Sequence, residues 1–199
     1  MKSESFKVLE GKNPVLLSAP HAFNHYRSNI NQVYKAGEPV TDDIVRRVAA
    51  NIDCYGIFTT QEMDYDPNST SELLNIYQRE VEQILKDKKI KYFIDIHGLN
   101  DKYDYDMAIY YPFRFSKSQR FADRIKTSLM ENMEKHLNIQ VLNFPENQDN
   151  TLSINVSHKL RVPSIQIEVA RYIREDEFLL EKFIEAFEKS LLSLINNDK

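Results

Sequence analysis

Tyr92-Phe93-Ile94-Asp95-Ile96-His97-Gly98 is an apolar run of strand length that carries one carboxylate and closes on His-Gly. A short continuous run of this kind reads as a strand buried on both faces, which places it inside a parallel sheet. Similar runs lie to either side: Val15-Leu16-Leu17, Gly56-Ile57-Phe58-Thr59, Met107-Ala108-Ile109-Tyr110, Ile139-Gln140-Val141-Leu142 and Ser164-Ile165-Gln166-Ile167. Between them, Thr41 to about Asn51 and Ser116 to His136 read as helices, and Phe178 to Ile195 repeats apolar residues at helical spacing. Ser69 and Glu72 form a candidate capping box for a helix through Leu73, Leu74, Tyr77, Val81 and Leu85. Strands alternating with helices predict an α/β fold of three layers, a mixed and mainly parallel sheet between helices.

The chain has 199 residues, 42% of them hydrophobic, enough for one substantial core and one domain over residues 1–199. Its net charge of −4, with Lys and Arg scattered, argues against a nucleic-acid or anionic-membrane partner. The first residues lack the apolar run of a signal peptide, and no stretch approaches the roughly 18 apolar residues of a membrane span. A cytoplasmic protein is expected. Only four glycines occur, so a Gly-rich phosphate cradle is ruled out. The single cysteine, Cys54, permits no intrachain disulfide, reads as a buried small apolar residue, and leaves any metal to His, Asp or Glu.

Open α/β sheets place their sites beyond the carboxyl ends of the strands. Three such ends carry chemistry: Leu16-Leu17-Ser18-Ala19-Pro20-His21-Ala22, Phe93-Ile94-Asp95-Ile96-His97-Gly98, and Ser164-Ile165-Gln166-Ile167-Glu168-Val169 followed by Arg171 and Arg174. Neutral imidazoles of His21 and His97, joined by one carboxylate, make a three-ligand zinc site with an open position. For the carboxylate, Gly37-Glu38-Pro39-Val40-Thr41-Asp42-Asp43 offers Glu38, Asp42 and Asp43. Thr41 as an N-cap accounts for Asp42 and Asp43 in a helical first turn, whereas Glu38 has no such structural job. These residues alone leave the choice open. His25, His136 and His158 lack a strand-end setting and read as surface or helix residues, and Tyr103-Asp104-Tyr105-Asp106 reads as ordinary amphipathic packing.

Four pieces in order resemble the N-formylglutamate amidohydrolase-like family, including the phage-type poly-γ-glutamate hydrolases. They are Ser18-Ala19-Pro20-His21-Ala22, Glu38-Pro39-Val40-Thr41-Asp42-Asp43-Ile44, Asp95-Ile96-His97-Gly98, and Gln166-Ile167-Glu168-Val169 with Arg171 and Arg174. The resemblance implies a phosphorylase/hydrolase-like fold, one zinc ion on His21, Glu38 and His97, and hydrolysis of an amide beside a glutamate-like acyl group. It also implies Glu168 as general base to a zinc-activated water. Asp95, two residues before His97 on the same strand face, is placed to orient an imidazole.

Two departures accompany the resemblance. Asn24 stands three residues after His21, where carboxypeptidases have a ligand Glu, which favours the formylglutamate-like branch. Ser69 follows Asp66-Pro67-Asn68, where related enzymes often carry an Arg that grips a substrate carboxylate. Asn68 therefore remains a candidate substrate contact, and Arg79, Arg171 or Arg174 is expected to supply the guanidinium. The expected partner is a small-molecule or peptide-like substrate. Carboxypeptidase-like or cell-wall-peptide amidase activity on the same site, or a non-catalytic binding protein of the same fold, are the alternatives. The sequence carries no signal for oligomeric state.

Overall fold

A computed structural model of the chain describes residues 5–27, 33–69, 75–133, 137–145 and 150–197. In chain order its elements begin with β1 (Phe6–Leu9), β2 (Asn13–Ala19), β3 (His25–Arg27), β4 (Val33–Lys35), α1 (Thr41–Asn51), β5 (Cys54–Thr59) and α2 (Ile76–Asp87). They continue with β6 (Tyr92–Gly98), β7 (Met107–Tyr111), α3 (Ser116–Asn132), β8 (Ile139–Asn143), α4 (Leu152–Leu160), β9 (Ser164–Val169), α5 (Arg171–Glu175) and α6 (Glu177–Asn197).

Seven strands form one sheet in the order β1-β5-β2-β6-β9-β7-β8, and β3 with β4 makes a separate ribbon. The inner strands β5, β2, β6 and β9 run parallel, β1 and β7 run antiparallel to their inner neighbours, and β8 is parallel to β7. The expected mixed, mainly parallel α/β sheet is therefore present. The quoted run, Tyr92–Gly98, is its central strand.

Each face of the sheet is closed by helices. Ile94 and Ile96 of β6, with Ile165, Ile167 and Val169 of β9, pack against Ile44 and Val48 of α1, Phe121 and Ile125 of α3, and Phe183 and Phe187 of α6. Fully burying one such large apolar side chain stabilises the fold by about 1.5–3 kcal/mol. On the opposite face Leu16, Ile57 and Phe93 pack against Tyr77, Val81 and Leu85 of α2 and Leu152 and Val156 of α4. Because side chains alternate along a strand, Ser18, Asp95, His97, Gln166 and Glu168 share this second face, at the carboxyl ends of three adjacent strands.

Several expected boundaries move. The helix expected to reach His136 ends at Asn132, and residues 134–136 lie outside the described ones. Glu72, Leu73 and Leu74 lie outside them as well, so the capping box falls there; α2 starts at Ile76, capped by Asn75, whose side chain accepts from the Gln78 amide. Thr41 is not the N-cap of α1 but its first residue, and its hydroxyl donates to the Glu38 carbonyl at 2.8 Å. No described helix is long and apolar enough to cross a membrane.

Candidate metal centre

His21 follows β2 past Pro20, and its carbonyl accepts a hydrogen bond from the Glu38 amide at 2.7 Å. The Glu38 loop lies flat on the chain beyond His21: a Cβ at Gly37 would stand 2.7 Å from the Ala22 carbonyl oxygen, so only glycine permits this approach. Val40 then turns the chain into α1 at φ 73°, a left-handed conformation that strains a β-branched residue. The strain sits two residues after Glu38. Its carboxylate is fixed from the other side by the Gly98 amide, which donates to Oε2 at 3.0 Å.

Glu38 thereby faces both histidines. Nδ1 of His97 lies 3.1 Å from Oε2 and Nδ1 of His21 lies 3.5 Å from Oε1. The His21 Nδ1 is buried and makes no hydrogen bond. The two rings meet edge-on, at 81° with centroids 4.8 Å apart, and one donor atom from each of His21, Glu38 and His97 lies within 4.8 Å of the others. Nε2 of each ring is held by an outer carboxylate: His21 by Asp66 at 2.8 Å and His97 by Asp95 at 3.1 Å. Such backing fixes the tautomer and leaves Nδ1 as the ligand atom. Asp95 thus stands where a residue orienting His97 would stand.

His25 is not a surface residue. It is 1% exposed in β3, and its ring stacks on His21 at 3.8 Å and 2°. Nε2 of His25 accepts from Arg27 Nε at 3.1 Å, and Arg27 Nε also lies 3.1 Å from Asp66. Burial and the neighbouring His21 push His25 down to about 3. His158, by contrast, is an exposed residue of α4, as expected, and His136 lies outside the described residues.

Among the described residues, two groups of side chains cluster tightly enough to hold an ion: His21, Glu38 and His97, and His21, His25 and Asp66. Geometry separates them. The lone pairs of stacked rings are parallel, so an ion in the plane of His21 stands a full stacking distance from the plane of His25. The edge-on pair with Glu38 has no such conflict, and its bare nitrogen has no other partner. Two nitrogens and one carboxylate are a common donor set for catalytic zinc.

The electrostatics agree. Burial drives imidazoles towards the neutral form, yet Glu38 and Asp95 hold His97 well above its ordinary value, and Asp66 and Glu38 raise His21. Burial drives a carboxyl upward, yet His97 and His21 hold Glu38 well below the usual carboxylate range. Glu38, Asp66 and Asp95 crowd around two imidazoles, a negative excess that a divalent cation would balance.

Glu168 is the register partner of His97 on β9. Gln166 Nε2 donates to its Oε1 at 3.1 Å. Burial raises the Glu168 carboxyl; His97 opposes this and Glu38 adds to it. Of the other expected residues, Asn68 comes to the site: its Nδ2 is 3.5 Å from His97 Nε2, and its Oδ1 accepts from the Leu152 amide at 3.0 Å. Arg174 is buried, and its guanidinium donates to the carbonyls of Val169 and Pro39. Arg171 is exposed and bonded to Glu175 at 2.8 Å, and Arg79 is exposed on α2, away from the clefts bordering Glu38. Asp43 pairs with Arg46 and Arg47, whereas Asp42 lines a cleft beside Glu38; neither joins the histidines.

Sequence reasoning missed Asp66 and His25 as parts of the centre. Asp66 had a weak signal, a carboxylate before Pro67-Asn68 in a polar segment, but its contact with His21 spans 45 residues. His25 had none, because a strand of three residues is too short to show alternation.

Neither a family model nor a curated protein matches the sequence. Solved structures do match. An N-formylglutamate amidohydrolase from Ralstonia eutropha aligns with 98% of this chain and 98% of its own, at TM-score 0.65 and 11% identity. An N-acetylmuramoyl-L-alanine amidase of Nostoc punctiforme aligns with 94% and 99%, at 0.59 and 17%. A bacteriophage poly-γ-glutamate hydrolase aligns with 96% and 89%, at 0.55 and 13%. The chain shares their hydrolase-like α/β fold.

Proposed function

We propose that this chain is a zinc-dependent amidohydrolase that cleaves the amide of an N-acylated amino acid or γ-glutamyl-type substrate. The observation that carries the reading is the convergence of Nδ1 of His21 and Nδ1 of His97 on the two carboxylate oxygens of Glu38, with Glu168 beside His97. His21, Glu38 and His97 would hold the ion. Bound there, zinc supplies Lewis acidity, lowering the pKa of water from about 15.7 towards about 7 and polarising a carbonyl.

Glu168 does the proton work. Its carboxylate accepts a proton as water adds to the amide carbon, then passes that proton to the nitrogen as the C–N bond breaks, releasing a carboxylic acid and an amine. A carboxyl raised by burial is suited to both halves of that exchange. Asp66 and Asp95 keep the imidazoles turned inward, and Asn68 packs against His97 from the side. The likeness in fold to amidases and amidohydrolases supports the reaction class. A cell-wall peptide amide is the second reading, since an N-acetylmuramoyl-L-alanine amidase also shares the fold.

The test is elemental analysis of the purified protein, followed by a hydrolysis panel of N-acyl amino acids, γ-glutamyl peptides and muramoyl peptides. The expected result is a single zinc per chain and turnover on at least one member, abolished by a chelator. Protein that neither contains nor takes up zinc would sink the proposal.

A further inference from the structure

The cleft beside Glu38 and Glu168, about 480 Å³ in volume, is bordered by Arg27, Lys35 and Lys102. These cations come from different segments: β3, β4, and the connection between β6 and β7. Their gathering runs against the chain's net charge of −4. Arg27 is already engaged by Asp66, Nε to Oδ2 at 3.1 Å. Lys35 and Lys102 are exposed, and neither forms an ion pair among the described residues. Lys102 Nζ lies 5.0 Å from the centre of the Tyr103 ring, which steadies the side chain at the cleft. Tyr110 and Phe144 line the same cleft and add apolar wall to it.

The neighbouring cleft gives this arrangement a direction. It measures about 870 Å³, shares Glu38, Gly98 and Asn100 with the first, and is bordered by Asp42, Glu62 and Asp101. Its two arginines are committed, Arg171 to Glu175 and Arg174 to backbone carbonyls. A molecule lying across Glu38 therefore meets opposite charge on its two sides, and an anionic group is drawn to the lysine side.

We propose that Lys35 and Lys102 are specificity-determining residues that bind a carboxylate carried by the substrate away from its scissile amide. This inference rests on the amidohydrolase reading of the site. It assigns anion recognition to the β4 strand and the β6–β7 connection rather than to Asn68-Ser69 or the α5 arginines. Each lysine is a mobile point charge, so selection acts on charge at a distance rather than on a planar bidentate fit.

The experiment is calorimetric titration of the full-length, zinc-supplemented Glu168→Gln protein with N-acetyl-L-glutamate and with N-acetyl-L-glutamine, which differ in side-chain charge at nearly constant shape. The expected result is about tenfold tighter binding of the glutamate compound. That preference should shrink as sodium chloride is raised, vanish in Lys35→Ala/Lys102→Ala, and return in Lys35→Arg/Lys102→Arg. Equal or undetectable binding of the two compounds overturns the proposal. So does a preference that survives the double alanine change, because the carboxylate is then held elsewhere, for example by the metal. The readout needs no turnover, so the two readings fail separately. An intact, lysine-dependent preference in a protein that holds no zinc and hydrolyses nothing would remove the amidohydrolase reading and leave the anion site standing.

Discussion

His97 and Glu168 are register partners across the parallel pair β6–β9, with both side chains on the face of the sheet that carries Asp95 and Gln166. A candidate ligand and a candidate base are thus positioned by backbone hydrogen bonds of adjacent central strands, the most rigid support a fold offers. Loops bring the rest: His21 arrives past β2, and Glu38 arrives on a segment pinned to the His21 carbonyl and the Gly98 amide.

From this arrangement Glu168→Gln is expected to fold normally and keep its zinc while losing about 10²–10⁴-fold in turnover, the usual contribution of a positioned acid–base group. Glutamine preserves the volume and the contact with Gln166 but cannot accept the proton. Parallel metal analysis and hydrolysis rates check it. Near-normal rates in a zinc-replete variant would remove Glu168 from the mechanism.

A cation held by His21, Glu38 and His97, as proposed, would bind the folded chain and not the unfolded one. At zinc about 100-fold above its dissociation constant the linkage is worth about 2.7 kcal/mol, or roughly 5–10 °C in Tm for a chain of this size. The expected outcome in differential scanning calorimetry is a rise of that order for the wild type. His21→Ala and His97→Ala should show no rise, while remaining folded by far-ultraviolet circular dichroism. A wild-type Tm indifferent to zinc and to chelator would count against the site.

Much of the fold was legible because it is written in local periodicity. The central strand Tyr92–Gly98 and the apolar repeat within α6 announce themselves without reference to the rest of the chain. The helix α4 does not. Leu152 to Ser157 are all buried, so no stripe marks an outer face. Its inward Ser157 is instead satisfied by a network in which its Oγ meets Ser118 Oγ at 3.1 Å and Ser164 Oγ at 2.6 Å, whereas the buried Ser153 hydroxyl has no hydrogen-bond partner among the described residues. The centre divides in the same way. His21, His97 and Glu168 end strands, and a strand end is visible in sequence. His25 and Asp66 are placed by contacts between distant segments, which no periodicity encodes.

Gly98→Ala is expected to destabilise the protein by about 1–3 kcal/mol through overpacking and to weaken zinc retention. An added Cβ would stand 2.8 Å from Arg174 Nη2 and 3.1 Å from Glu38 Cβ. A free arginine would swing aside, but this one is held by the carbonyls of Val169 and Pro39. Urea denaturation with and without zinc measures both effects. In an Arg174→Ala background the glycine substitution should cost less, and the difference between the two costs is the coupling.

Cys54 should be inert in the native protein. It is 1% exposed on the first residue of β5, and burial, with Asp53 adding, pushes its thiol up to about 12. Since the thiolate is the reactive form, a disulfide reagent such as dithionitrobenzoate at pH 8 is expected to titrate no thiol in native protein and a full equivalent in urea. The same shift has a consequence for stability. The folded state keeps the thiol protonated where an unfolded one, at about 8.5, has lost its proton. The stabilisation is therefore complete below pH 8.5 and is lost progressively as pH rises towards about 12. Cys54→Ala removes that ionisation, so its stability should fall less steeply than wild type across this alkaline range. Parallel alkaline limbs, together with rapid modification of the native thiol, would show that Cys54 is reached by solvent.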